Sequence, residues 1–280
     1  MSIEWKRRNV LLGTALSLLC LAAGVAHAKK PLPVLAPPVI EPGFTYSVVG
    51  FTVAEANPHH MMRPLREDNS IIYEQNFGGG GVATGVLFGP FGVAANIAGI
   101  KKRTEAETAE LAGKLPIAPL ELFGAALAKT PLAAASADNL AAVQFKPSLG
   151  VISVDGENVE FAATLFVDHR PAGKKWTGKY VWQLGPRHAR SAVAAGLSEA
   201  DIATLRTELA AAYDELLRFY LADSRGELAA PQIVKFRSAF MSRRFDFLLQ
   251  GMEIPASPDR LMVRFMDSVF SLRRDSVKFD

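Results

Sequence analysis

The sequence predicts an α+β fold in which antiparallel β-meanders are covered by an amphipathic helix, with an additional glycine-rich apolar helix or helical hairpin. Apolar residues at every second position over 159–167 indicate a strand with one buried face. Apolar residues three and four apart over 202–220 indicate a helix that covers a sheet. An uncharged, glycine-rich stretch over 78–100 follows neither pattern and indicates a segment with a separate role.

Residues 1–28 have the organisation of a secretory signal peptide. Lys6, Arg7 and Arg8 precede an apolar core over 10–25, and Ala26-His27-Ala28 is a small-x-small cleavage site. We therefore expect an exported protein of the periplasm or cell envelope that begins at residue 29. The alternative is an uncleaved membrane anchor, because the apolar core is close to the ~17 residues that span a bilayer.

Removal of this signal changes what the composition implies. Cys20 is the single cysteine and lies inside the signal, so the exported chain would contain no disulfide, thiolate nucleophile or cysteine-bound zinc. The signal also holds three of the 31 Lys and Arg residues and one of the 28 Asp and Glu residues. The remaining charges nearly balance, which excludes a nucleic acid interaction argued from net charge.

The region after the signal predicts a tether followed by a β-hairpin. Residues 29–43 contain five prolines, which favour an extended arm with few amide donors. Residues 44–54 and 70–77 are rich in β-branched and aromatic residues and predict two strands. We expect these strands to pair with each other, so residues 44–77 are interpreted as a hairpin.

Residues 78–103 form the predicted membrane or assembly segment. Gly81, Gly85 and Gly89 recur every four residues and would share one side-chain-free helix face. Gly92 and Gly99 depart from that rhythm and Pro90 interrupts it, while Lys101-Lys102-Arg103 closes the segment. The candidate membrane or assembly residues are Gly81, Gly85, Gly89 and Gly92.

Three interpretations of this segment remain open. Residues 82–100 are long enough for one helix across a ~30 Å hydrocarbon core, with the basic triplet on the cytoplasmic side. In a hairpin, Gly89-Pro90 would be the turn between two short helices that insert partly into a membrane or an oligomer. In the third interpretation the segment is a buried loop and helix of a soluble core. Pro90 and Asn96 argue against the straight span.

On Gly81, Gly85, Gly89 and the basic flank, the chain resembles glycine-zipper-containing bacterial cell-envelope proteins, in which such spacing follows a signal peptide. The resemblance covers residues 78–103. It implies envelope association and oligomerisation, and it implies no activity, cofactor or catalytic residue. The implied partner is a membrane or a second copy of the chain through residues 82–100.

The rest of the chain predicts short helices over 104–142 and an α+β domain over 143–280. Thr104 and Glu107 have the spacing of a capping box, and Glu105, Glu107 and Glu110 are expected on a solvated helix face. Asp155-Gly156 predicts a turn between two long strands, and residues 179–184 predict a third.

The predicted domain continues with its longest helix. Ser198 and Asp201 predict the start of a helix that ends at Asp223. From residue 243 the chain alternates again, with a turn at Ser257-Pro258-Asp259.

Residues 169–190 form a basic and aromatic region without an acidic residue. Cations beside aromatic rings suit anionic glycans or lipid headgroups, so Arg170, Lys174, Lys175, Trp176 and Lys179 are candidate anion-binding residues. The favoured alternative is a surface hairpin whose lysines keep it soluble and whose rings face the core.

The sequence predicts no catalytic residue, cofactor or metal ligand. Asp168 could orient the imidazole of His169, but neither Ser153 nor Ser191 has the context of a nucleophile. The main hypothesis is therefore a non-enzymatic envelope protein. A soluble periplasmic module that binds an anionic glycan or lipid through residues 169–190 is the alternative, and a periplasmic hydrolase ranks third.

Overall fold

The computed structural model describes residues 36–39, 44–51, 62–75, 98–135, 142–169, 176–228, 232–241, 247–265 and 267–279. These residues belong to one compact unit that extends over Val34–Asp280. The predicted signal, most of the tether and residues 76–97 lie outside the described ranges.

The described ranges contain four α-helices, a 3₁₀ turn at Arg274–Ser276 and thirteen strands that form a single sheet. The helices are α1 (98–111), α2 (Pro119–Leu127), α3 (Arg190–Ala195) and α4 (Glu199–Ser224). The strands are β1 (Thr45–Val48), β2 (Met62–Pro64), β3 (Ile71–Gln75), β4 (Ala133–Ala134), β5 (Val143–Ser153), β6 (Asn158–His169), β7 (Trp176–Gln183), β8 (His188–Ala189), β9 (Gln232–Ser238), β10 (Leu249–Ile254), β11 (Arg260–Phe265), β12 (Ser268–Arg273) and β13 (Val277–Phe279).

The two longest strands, β5 and β6, form the centre of the sheet. They pair antiparallel from Val143 opposite His169 to Ser153 opposite Val159. Their connection is the predicted turn, in which the Asp155 carboxylate accepts the amide hydrogens of Glu157 and Asn158 and Gly156 has a φ of +92°. A side chain with a Cβ rarely adopts that φ, which explains the glycine.

The described strands form one large mixed sheet with few helices, so the predicted fold of antiparallel meanders is wrong, and the glycine-rich helix or helical hairpin of that prediction falls on residues outside the described ranges. β5, β6 and β7 are antiparallel neighbours, but β1 and β3 both lie parallel to β5, and β12 lies parallel to β7. Apolar alternation has the same period in parallel and antiparallel strands, so it identifies strands without giving their direction.

The predicted hairpin over residues 44–77 is also wrong. β1 pairs with β4 and with the first part of β5, whereas β3 pairs with β2 and with the second part of β5. The strands predicted over 44–54 and 70–77 therefore share one edge of β5 and do not pair with each other. β5 has eleven residues, which leaves room for both short strands along that edge.

The C-terminal strands β9–β13 form a strongly curved part of the sheet, which we call the barrel. Their order is β13-β9-β10-β11-β12, so β12 and β13 are four strand spacings apart, about 19 Å in a flat sheet. Only residues 274–276 connect them, and the four Cα steps from 273 to 277 reach at most about 15 Å. The sheet must therefore curve, and Phe236, Leu272 and Val277 share a core inside the curve.

Helix α4 covers the other face of the sheet. It begins after Ser198, whose hydroxyl accepts the amide hydrogen of Asp201, as the sequence predicts. Its apolar face packs on the alternating residues of β6, all five of which belong to the same core as predicted: Val159, Phe161, Ala163, Leu165 and Val167. The ring of Tyr220 stands edge-on to Phe145 and Tyr180, with ring centroids 5.2 and 5.7 Å apart.

A buried ion pair connects α4 to the barrel. The Arg264 guanidinium of β11 donates to the Asp223 carboxylate at 2.5 Å, and both side chains are at most 4% exposed. The Tyr180 hydroxyl of β7 donates to the second oxygen of Asp223 at 2.7 Å. One carboxylate thus joins the helix to two strands in a setting with little water.

We predict that Asp223→Ala lowers the free energy of unfolding by about 3–5 kcal/mol, because Arg264 would be left as an uncompensated buried charge. Asp214→Ala on the same helix is the matched control. Its pair with Lys129 is exposed, so we expect a loss below about 1 kcal/mol. Urea unfolding measures both variants, and equal losses would contradict the importance of the buried pair.

Four buried tyrosines predict sensitivity to alkali. Burial raises the pKa of Tyr73, Tyr180, Tyr213 and Tyr220 above the ordinary value of 10. The folded protein therefore keeps protons that the unfolded chain releases above about pH 10, and the free energy of unfolding falls as the pH rises. Urea unfolding between about pH 9 and pH 11 should show this fall.

Tyr213→Phe tests the same linkage at one site, because its hydroxyl is buried and has no hydrogen-bond partner among the described residues. We expect a shallower loss of stability with pH, by up to about 1.4 kcal/mol per pH unit. Tyrosinate absorbance should appear together with unfolding. Ionisation of all these phenols in a protein that stays folded would refute the prediction.

Candidate functional site

The best-defined polar site lies where the chain enters and leaves residues 76–97. Strand β3 ends at Gln75, and α1 carries the first described residues after that segment. Glu107 of α1 is only 5% exposed, although its carboxylate is surrounded by polar side chains. We call the set of Tyr73, Gln75, Thr104, Glu107 and Arg190 the Glu107 cluster.

The Glu107 carboxylate is the centre of this cluster. One oxygen accepts the Tyr73 hydroxyl hydrogen at 2.5 Å and the Gln75 amide hydrogen at 2.8 Å. The other accepts a hydrogen from the guanidinium of Arg190 at the start of α3. Both oxygens are therefore satisfied, as a buried carboxylate requires.

Gln75 binds α1 through both ends of its side-chain amide. Its NH₂ group donates to Glu107, and its carbonyl oxygen lies 2.5 Å from the Thr104 hydroxyl. Burial and the bond to Glu107 raise the pKa of Tyr73, so this phenol remains a donor at neutral pH. The hydrogen bonds from Tyr73 and Gln75 to Glu107, and from Thr104 to Gln75, therefore hold α1 against the end of β3.

This arrangement corrects two expectations about α1. Thr104 lies inside the helix, which includes residues 98–111, so it does not cap the start with Glu107. Glu107 faces the sheet, whereas Glu105 and Glu110 are about half exposed. Positions 104, 107 and 111 share one helix face. Leu111 is apolar and fully buried, so its place on that face was a sequence signal that Glu107 would also be buried.

The glycine residues predicted to mediate membrane contact or assembly lie outside the described residues. They are Gly81, Gly85, Gly89 and Gly92. Within the described ranges, no helix is both long enough and apolar enough to cross a membrane. The exposed residues Lys101, Lys102 and Arg103 lie on α1 next to the Glu107 cluster.

Of the predicted anion-binding residues, the structure describes Trp176 and Lys179, whereas Arg170, Lys174 and Lys175 lie outside its described ranges. Trp176 packs against the core on the α4 side of the sheet. Lys179 lies 3.7 Å from the Glu74 carboxylate and 5.2 Å from the centroid of the Phe166 ring. Because 176 and 179 are an odd number of positions apart on β7, they face opposite sides and do not converge.

Asp168 and His169 do not form a catalytic pair. They are adjacent on β6 and point to opposite faces. The Asp168 carboxylate instead accepts hydrogens from Lys146 at 2.8 Å and Thr177 at 3.0 Å. Burial lowers the pKa of His169, whose ring stands edge-on to Trp176 with centroids 6.5 Å apart.

A cleft between α4 and the barrel is a second candidate site. It consists of two neighbouring cavities of about 580 and 590 Å³ that share Trp182, Glu215, Asp259 and Arg260. The Arg260 guanidinium stacks on Trp182, 3.9 Å from the ring centroid, and donates to Ser271 and to the Gln183 carbonyl oxygen. Burial lowers the pKa of Arg260 to about 10.

The charged side chains of this cleft already have protein partners. Glu215 pairs with Arg218 at 2.5 Å, and Asp275 pairs with Arg273 at 2.5 Å. The lining residues described for the two cavities include no histidine or cysteine. The cleft therefore contains acidic and basic side chains that pair with each other, and an Arg260 side chain held by Trp182 and Ser271, but these groups do not indicate a particular reaction.

Neither metal-binding geometry nor similarity to known proteins identifies a function. The described residues contain no group of three or more His, Cys, Asp or Glu side chains placed to hold a metal ion. No protein-family model, curated protein or solved structure matches the chain.

We predict that Glu107→Ala lowers the free energy of unfolding by about 3 kcal/mol, because it leaves the buried donors of Tyr73 and Gln75 without their acceptor and leaves Arg190 with Glu110 alone, 3.5 Å away. Glu105→Ala is the control on the same helix. Glu105 is 52% exposed with ion pairs of 3.6 and 3.9 Å, so we expect a loss below about 1 kcal/mol. Hydrogen exchange should also accelerate in α1 of Glu107→Ala alone, and unchanged protection there would contradict the role of the cluster.

Proposed function

We propose that the protein is an exported, non-enzymatic component of the cell envelope that associates with a membrane, or with copies of itself, through residues 82–100. The signal-like residues 1–28 and the four-residue glycine spacing motivate the proposal. The observation that carries it is the Glu107 cluster, which holds the chain before and after the glycine-rich segment at one place.

The contact between Gln75 and Thr104 limits how residues 82–100 could cross a membrane. Gln75 and Thr104 touch, so they lie on the same side of any bilayer. The seven steps from Gln75 to Val82 extend at most about 25 Å, which is less than the ~30 Å hydrocarbon core. A single crossing by residues 82–100 would require those steps to cross the core as well, and their backbone would have no hydrogen-bond partners there.

A segment that leaves and returns on one side is therefore the better-supported form of the proposal. The exposed cations of α1 would then lie at the level of lipid headgroups. Anion binding by residues 169–190 has less support, because Trp176 and Lys179 face opposite sides of β7.

Membrane fractionation of the protein without residues 1–28 tests the proposal. We expect the protein to stay in the membrane fraction after a high-salt wash, which removes proteins held by exposed charges alone. Gly85→Leu should release it or dissociate its oligomer, because a leucine would prevent the close contact that the glycine spacing predicts. Gly124→Leu is the matched control, since Gly124 is exposed on α2 and a Cβ atom added there would have no packing partner within 4 Å.

Protease accessibility complements this experiment. Residues 62–75 and 98–111 should be protected or cleaved from the same side of the membrane. A freely soluble monomer, or equal fractionation of the Gly85→Leu and unaltered proteins, would refute the proposal.

A further inference from the structure

The barrel presents one uncovered sheet face. Phe236 and Ser238 of β9 are buried inside the barrel, so the residues between and before them point outward. The pairing registers place Lys278 opposite Arg237, Lys235 opposite Gln250, and Ile233 opposite Met252. We call this set the basic outer face: Ile233, Lys235, Arg237, Gln250, Met252 and Lys278.

The same face is buried where it continues into the rest of the sheet. Ile254 of β10 and Met262 of β11 are opposite each other and belong to the core under α4. From Met252 outward this cover ends. Ile233 is 63% exposed, and Leu248, immediately before β10, is 43% exposed. This face of the barrel is therefore covered by α4 around Ile254 and Met262 and exposed around Ile233.

Exposed apolar side chains are concentrated on the barrel. Six large hydrophobic residues are exposed in the described ranges, and four belong to the barrel or to the residues before β10. They are Ile233, Phe247, Leu248 and Phe279. Phe279 is opposite Phe236, so it lies on the other face of β13 from Lys278, where the exposed Arg274 is 5.0 Å from the centroid of its ring.

The charge on the basic outer face has one sign. None of its six residues is acidic, and Lys278 lies directly opposite Arg237. Lys235 and Lys278 are both exposed, so an anionic surface outside the protein would complement them.

We infer that the basic outer face is a peripheral docking surface for an anionic lipid bilayer. Lys235 and Lys278 would meet headgroup phosphates, while Ile233 and Leu248 would enter the boundary between headgroups and acyl chains. The inference deepens the proposed membrane association but rests on residues of the barrel, which are distinct from the glycine-rich segment.

Vesicle flotation of the protein without residues 1–28 tests the inference. The vesicles contain phosphatidylcholine with or without phosphatidylserine. We expect binding that requires phosphatidylserine and weakens with salt. The Lys235→Glu, Lys278→Glu double variant should bind at least about 25-fold more weakly, from about fivefold for each lost cation. Ile233→Ser should also weaken binding without changing net charge.

The matched control changes net charge equally at a distance from the face. Lys114 and Lys129 are both exposed, and Lys129 shortly precedes β4, which is at the opposite end of the strand order from β13. Lys114→Glu with Lys129→Glu should bind as the unaltered protein does. Circular dichroism and urea unfolding confirm that each variant is folded. If Lys278→Glu proves unstable, Lys235→Gln with Lys278→Gln replaces the double variant.

The outcomes separate this inference from the proposed function. At low salt, Gly85→Leu should keep its phosphatidylserine-dependent vesicle binding even if a high-salt wash removes it from the membrane fraction. Equal loss in the Lys114 and Lys129 control, no preference for phosphatidylserine, or no vesicle binding would overturn the docking surface. It would also be overturned by a dimer in solution that Ile233→Ser dissociates, because the face would then bind a second copy.

Discussion

Burial of the Glu107 carboxylate is the constraint on which the arrangement around the glycine-rich segment depends. A buried carboxylate needs donors at both oxygens, and here they come from β3 and α3. These donors are far apart in sequence, so their bonds to the carboxylate fix the position of α1 relative to β3 and α3. As a consequence, the chain on both sides of residues 76–97 is held at one location, and the proposed membrane contact has a rigid base.

The buried pair of Asp223 and Arg264 has a similar role in positioning α4. Asp223 holds Arg264 and Tyr180, so α4, the barrel and the central sheet meet at one carboxylate. An apolar replacement could match the stability of such a pair, but only a specific geometry satisfies it. We interpret both carboxylates as contacts that position elements, while the apolar cores under α4 and inside the barrel supply most of the stability.

Local signals made part of the fold predictable. Asp155-Gly156 identified the central hairpin, and Ser198 with Asp201 identified the start of α4, because turns and caps depend on nearby residues. Strand direction depends on distant pairing, so the parallel partners of β5 were missed. β9 was also missed because Ile233 on its outer face and Ser238 on its inner face break the alternation, and β13 because three residues are too few to show one. Glu107 was assigned to solvent because its partners Tyr73 and Arg190 are remote in sequence.

The central claim is that Gln75 and Glu107 interact directly across the glycine-rich segment. A double-mutant cycle with Gln75→Ala and Glu107→Ala, followed by urea unfolding, measures that interaction. We expect a coupling free energy of about 1–3 kcal/mol, because the two side chains share a buried hydrogen bond. Additive effects of the two substitutions, with coupling below about 0.3 kcal/mol, would contradict the account.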